Sequence, residues 1–131
     1  MIRLKTQDDI ALLRENALMV SKTLAEVGRH VAPGITTKEL DRIADKYIRS
    51  LGAEPGFLGY DGYPYTLCIS VNDTVVHGFP SDYKLKEGDI VSVDCGTKYR
   101  GFYAECSAFV QFGVGNIDFA PVVFSHYAAG K

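Results

Sequence analysis

The chain has 131 residues, 47% of them hydrophobic, 23% charged and 11% aromatic, which is the composition of one folded domain and not of a disordered tail. Fourteen Lys and Arg against sixteen Asp and Glu leave a formal charge of −2, so there is no overall basic field to hold nucleic acid or an anionic membrane. Cys68, Cys95 and Cys106 have no ribbon or C-x-x-C spacing, Met1–Asp9 is polar, and no apolar run is long enough to span a bilayer, so a cytoplasmic chain in a reducing compartment is expected.

From Ile10 to Val31 the apolar residues Ile10, Leu13, Ala17, Val20, Leu24, Val27 and Val31 recur at spacings of three and four, one stripe of a helix. Thr6 stands ahead of an acidic first turn as its N-cap, and Pro33-Gly34 ends it. Thr36-Thr37-Lys38-Glu39 has capping-box spacing and opens a second amphipathic stripe, Leu40, Ile43, Ala44, Tyr47, Ile48 and Leu51, closed by Gly52. The first half is therefore expected to be two packed helices.

After Gly52 the period changes from helical to extended. Gly56–Pro64 is a glycine- and tyrosine-rich loop, Tyr65–Val71 a strand, Asn72-Asp73 a turn, and Thr74–Phe79 is expected to be extended again. A charged turn, Lys84–Asp89, leads into two alternating runs, Ile90–Gly96 and Gly101–Phe112, read as a β-hairpin. Val114–Lys131 has no clear period and is set apart as a divergent tail of an otherwise single domain, residues 1–131.

A hairpin turning between Tyr99 and Arg100 would set Asp94 directly opposite Glu105, with Val91, Val93, Cys95, Ala104, Cys106 and Ala108 together on the other, apolar face. Two carboxylates so placed repel each other when both are charged. Either a shared proton or divalent metal ions would turn that repulsion to use, and the plain alternative is a solvated hairpin edge.

The segment Phe57–Pro80 carries Gly59-Tyr60-Asp61-Gly62-Tyr63-Pro64, then Cys68-Ile69-Ser70-Val71-Asn72, then His77-Gly78-Phe79-Pro80, and Asp94-Cys95-Gly96 follows. In this order the motifs closely resemble the N-terminal half of type I methionine aminopeptidases, over about residues 1 to 113. The resemblance implies an α+β fold in which two helices pack on an antiparallel sheet, one half of a pita-bread unit. It also implies removal of N-terminal methionine from peptides or nascent chains by a pair of divalent ions (Co, Mn, Fe or Zn).

On this resemblance Asp94 matches the first metal-ligating Asp of the family. Glu105 stands where the family has its second Asp, eleven residues on, and Phe109 where it has Thr, so the second ligand strand departs from the pattern. His77 matches the histidine that contacts the substrate and the developing oxyanion. Phe57, Tyr60, Tyr63 and Cys68 match the lining of the methionine pocket, and aromatic rings with a small sulfur residue suit a thioether.

The family's ligand His and two ligand Glu come from a second half of the fold. His126, in Phe124-Ser125-His126-Tyr127, lacks that motif, and no Glu follows Glu105. Metal retention by this chain is therefore expected to be weak. The two functions that remain are an aminopeptidase whose other half comes from a longer polypeptide or a homodimer, and a non-catalytic, self-associating half-fold. No nucleic-acid or membrane partner is expected.

Overall fold

The computed structural model describes residues 2–112 and 117–120, with side-chain surroundings through Ala108. Helix α1 spans Gln7–His30 and helix α2 spans Thr37–Ser50. Thr6 caps α1 with a reciprocal pair: its hydroxyl accepts from the Asp9 amide at 3.1 Å, and the Asp9 carboxylate accepts from the Thr6 amide at 2.9 Å. Thr36 caps α2 through the Glu39 amide. Each cap satisfies backbone donors that the first helical turn leaves without an intrahelical partner.

Both helices pack on one face of an antiparallel sheet built from β1 (Glu54–Pro55), β2 (Leu67–Val71), β3 (Ile90–Tyr99), β4 (Phe102–Phe112) and β5 (Ile117–Ala120). β3 is central: β1 and β2 pair with the two ends of one edge, β4 with the other edge, and β5 extends the sheet beyond β4. The apolar alternation is realised on the helix side, where Val20, Val27, Leu40, Ile48, Leu67, Val91, Val93 and Cys95 are at most 2% exposed. Burying a side chain of this size contributes roughly 1.5–3 kcal/mol.

The hairpin differs from the sequence expectation in its register. Tyr99 pairs with Phe102, so the turn is Arg100-Gly101, and the two residues have φ of 49° and 82°. A two-residue turn with both central residues left-handed matches the strand twist, and Gly101 takes the second position without steric cost. The register therefore moves by two: Asp94 faces Ser107, and Glu105 faces Gly96. A shift of two keeps every side chain on its expected face, so the burial pattern alone could not detect it.

A buried polar pin ties this hairpin to α1. Asn16, fully buried, donates to the Phe102 carbonyl at 2.9 Å and to the Thr97 carbonyl at 3.4 Å, and it accepts from the Thr97 hydroxyl. These bonds grip both strands beside their turn.

Thr74–Phe79 is not a strand, contrary to the sequence expectation. His77 has φ of 57°, which a β-strand does not allow, and Gly78 lies so close to β2 that a Cβ there would meet the Ile69 carbonyl oxygen at 2.2 Å. The segment touches β2 at one point, Gly78 against Ile69 and Ser70, instead of pairing along it.

Candidate functional site

On the sheet face away from the helices, Cys68 on β2 pairs in register with Asp94 on β3, which in turn pairs with Ser107 on β4. Gly96 and Glu105 form the neighbouring pair. Asp94 and Glu105 therefore share a face as diagonal neighbours, roughly 7–8 Å apart between Cα atoms in such a geometry. That separation relieves the contact repulsion a directly opposed pair would suffer, while both carboxylates still face one space.

That space is an open cavity of about 720 Å³. Phe57, Tyr60, Tyr63, Cys68, His77, Asp94 and Glu105 all line it, so the candidate residues read from the sequence converge on one site. Its floor is made possible by Gly96: a Cβ there would stand 2.5 Å from the Phe57 ring, and the bare backbone lets that ring lie directly on β3.

The aromatic wall comes from the Gly56–Pro64 loop, which folds through a short 3-10 turn, Tyr60–Gly62. The Tyr63 hydroxyl donates to the Leu67 carbonyl at 2.8 Å, which fixes its ring beside the start of β2. α2 holds the same strand end, since the Asp41 carboxylate accepts from the Leu67 amide at 2.7 Å and the Thr66 amide at 3.0 Å. Tyr63, Tyr65 and Phe79 then meet edge to face, with ring centroids 5.2 to 6.1 Å apart.

Phe79, Val76 and Ser107 also line the cavity and were not singled out from the sequence. The signal for Phe79 was present, since it stands within the His77-Gly78-Phe79-Pro80 motif itself.

Burial is the main influence raising the Cys68 thiol pKa, and the negative charges of Asp94, Asp41 and Glu105 push it the same way against the opposing influence of the nearby Tyr63 hydroxyl. Cys68 thus meets the cavity as a neutral thiol. Burial, followed by Cys68 and nearby acids, likewise keeps the Tyr63 phenol protonated far above neutral pH. The two groups present an uncharged, polarisable surface beside two carboxylates.

His77 enters from the Thr74–Phe79 segment. The Gly78 carbonyl accepts from the Ile69 amide at 2.8 Å, and the Gly78 amide donates to the Ser70 hydroxyl at 3.0 Å. Farther on, the Ser81 and Tyr83 carbonyls accept from the Lys38 and Thr37 amides at the start of α2. A left-handed non-glycine residue costs of order 1 kcal/mol, and the conformation persists beside the anchored Gly78 and the bonds that follow it.

Asp94 and Glu105 are hard oxygen donors of the kind that hold divalent ions. Among the described residues no three His, Cys, Asp or Glu side chains gather as a metal cluster, so this pair fits a metal only as part of a larger ligand set. His126 and the Phe109 side chain lie outside the residues described. The cavity is open on the side away from the sheet, where Tyr60 is 70% exposed, Val76 61% and Phe79 59%.

Comparison with known proteins gives a consistent picture. A sequence model of metallopeptidase family M24 matches residues 11–127, running past Gly113 into the segment that the sequence reading set apart. A methionine aminopeptidase from Clostridium perfringens is 50% identical over 118 residues, covering 90% of this chain and 47% of that protein. Methionine aminopeptidase 1 from Bacillus subtilis is 44% identical, with the same coverage of 90% and 47%. The crystal structure of methionine aminopeptidase from Thermotoga maritima superposes with a TM-score of 0.82 at 39% identity, covering 86% of this chain and 46% of that one. The chain spans about half the length of the relatives it matches.

Proposed function

The chain belongs to metallopeptidase family M24 and carries two helices on an antiparallel sheet from its pita-bread fold, and on that premise we propose that it is the substrate-pocket half of a methionine aminopeptidase. The observation that carries this reading is the convergence of Phe57, Tyr60, Tyr63, Cys68, His77, Asp94 and Glu105 on one cavity. The aromatic rings and neutral Cys68 thiol receive the apolar thioether side chain of an N-terminal methionine. His77, held over the cavity mouth by the anchored backbone of Gly78, donates a hydrogen bond to the carbonyl oxygen as it gains negative charge.

Asp94 and Glu105 supply carboxylate oxygens to a divalent metal site whose other ligands come from a second half of the fold. The chemistry such an ion would supply there is activation of a water molecule and polarisation of the scissile carbonyl. Co, Mn, Fe and Zn are all within the chemistry of such a mixed carboxylate site. Glu105 reaches one methylene farther than an Asp at the same place, so metal retention by this chain is weak. The compartment is the cytoplasm, in keeping with three buried free cysteines, and among the described residues no helix is long and apolar enough to cross a membrane.

The test is release of free methionine from a Met-Gly-Gly peptide with added Mn(II), by the chain or by a longer polypeptide containing it. Loss of release in His77→Ala and in Asp94→Ala supports the reading, and release that survives both substitutions refutes it. A second reading, a self-associating half-fold without catalysis, draws on the exposed apolar rim of Val75, Val76, Phe79 and Tyr60, between 59% and 83% accessible. In that case a homodimer covers the rim, and light scattering at micromolar concentration would find a dimer with no peptide hydrolysis.

A further inference from the structure

The loop from Asn72 to Tyr83 carries His77 at its middle, and both of its ends bind one side chain. Asp89, only 7% exposed, accepts from the Asn72 side-chain amide at 2.9 Å on Oδ1 and from the Tyr83 hydroxyl at 3.0 Å on Oδ2. The same Oδ2 accepts from the Lys86 amide at 2.8 Å, which fixes the carboxylate in the turn before β3. Asn72 is held again from β3, because its Oδ1 accepts from the Ile90 amide at 3.0 Å and its own amide donates to the Ile90 carbonyl. Asn72 and His77 are also the loop's two left-handed non-glycine residues, with φ of 52° and 57°.

We propose that Asp89 is the positioning residue of the His77 loop: by closing the loop's two ends on one buried carboxylate, it holds the Gly78 backbone on β2 and thereby His77 at the mouth of the cavity. It does not line the cavity and touches no reacting atom. Three donors on one carboxylate over-determine the loop, which is the condition under which strained backbone persists. The residues so joined reach β2 through Asn72, the start of α2 through Tyr83, and β3 through the turn. The functional part of this inference rests on reading His77 as the substrate-facing histidine. The structural part does not.

The experiment compares the parent chain with Tyr83→Phe, which removes one bond at one end of the loop, and Asp89→Ala, which removes all three. Amide hydrogen exchange is followed at Ile69 and Gly78 in the loop contact and at Val20 and Val27 in α1. Opening of the loop should speed exchange at Ile69 and Gly78 roughly fivefold in Tyr83→Phe and more than tenfold in Asp89→Ala, with the α1 amides unchanged. Unchanged exchange at Ile69 in Tyr83→Phe, or an equal rise in α1, would overturn the positioning role, and the milder variant decides the matter if Asp89→Ala fails to fold.

Binding of Met-Gly-Gly, read from the Tyr63 and Cys68 resonances in every variant and also from the His77 ring where it is present, separates the two parts. Binding lost in His77→Ala and weakened severalfold in Tyr83→Phe supports both. If it is lost in His77→Ala but unchanged in Tyr83→Phe, the positioning role falls and the pocket reading stands. If the parent chain leaves the His77 resonances unmoved, the pocket reading falls while the exchange data still decide the loop.

Discussion

The two faces of the β3–β4 hairpin are made by the same strands and have opposite characters. Toward the helices, Val91, Val93, Cys95, Ala104, Cys106 and Ala108 are no more than 7% exposed and form a continuous core. Toward the cavity, Ser92, Asp94, Glu105 and Ser107 remain partly or fully open, and Gly96 gives up a side chain so that Phe57 can lie on the backbone. Period-two alternation gives one face to the core and the other to the cavity, so neighbouring residues answer to different constraints.

The sharpest way to break this contrast is a charge moved by one residue. Val93→Asp places an unpaired carboxylate at a position 2% exposed and is expected to abolish cooperative unfolding at neutral pH, whereas Ser92→Asp should stay within about 0.5 kcal/mol of the parent by chemical denaturation. Comparable tolerance at both positions would contradict the assignment of faces.

Next in size is the pin between α1 and the hairpin. Asn16→Leu leaves the Thr97 hydroxyl and the Phe102 carbonyl buried without their partner and should cost about 2–3 kcal/mol in the same measurement. Gly96→Ala acts on the open face. Its methyl displaces the Phe57 ring, so it should weaken Met-Gly-Gly binding severalfold while costing only about 1–3 kcal/mol of stability.

The smallest effect is in the response to acid, where two carboxylates have opposite signs. Burial works to raise the Asp89 pKa, but hydrogen bonds from Asn72, Lys86 and Tyr83 together outweigh it and leave the pKa lowered. Its stabilising contribution is therefore present above the unfolded-state pKa and lost as pH falls through the lower native value. At Asp41 burial dominates over the amides of Leu67 and Thr66, the pKa is raised, and the contribution is instead lost as pH rises through the native value. Asp89→Ala should accordingly flatten the acid limb of the stability profile below about pH 4, the ordinary Asp pKa, and Asp41→Asn should not.

The two helices were legible because their signals are local: stripes of three and four, with Thr6 and Thr36 as caps. The candidate site was legible because its residues cluster in short motifs, and all seven meet at one cavity. What escaped depends on backbone conformation. The hairpin turns at Arg100-Gly101 and not between Tyr99 and Arg100, because Arg100 accepts a left-handed φ that its residue type does not announce. The left-handed backbone at His77 was hidden for the same reason, since Val75-Val76 has the composition of a strand while Gly78 requires close contact with β2. β1, two residues long, is too short to show a period, and β5 lies in the stretch where the sequence shows none.

The central claim is that the open face receives an N-terminal methionine. A titration of the chain with Met-Gly-Gly, followed by NMR at Tyr63, Cys68 and His77, tests it most directly. Saturable shifts at these three residues, absent with Glu-Gly-Gly and, at Tyr63 and Cys68, lost in His77→Ala, are the predicted result. No saturable shift at millimolar peptide, or equal shifts with both peptides, would contradict it.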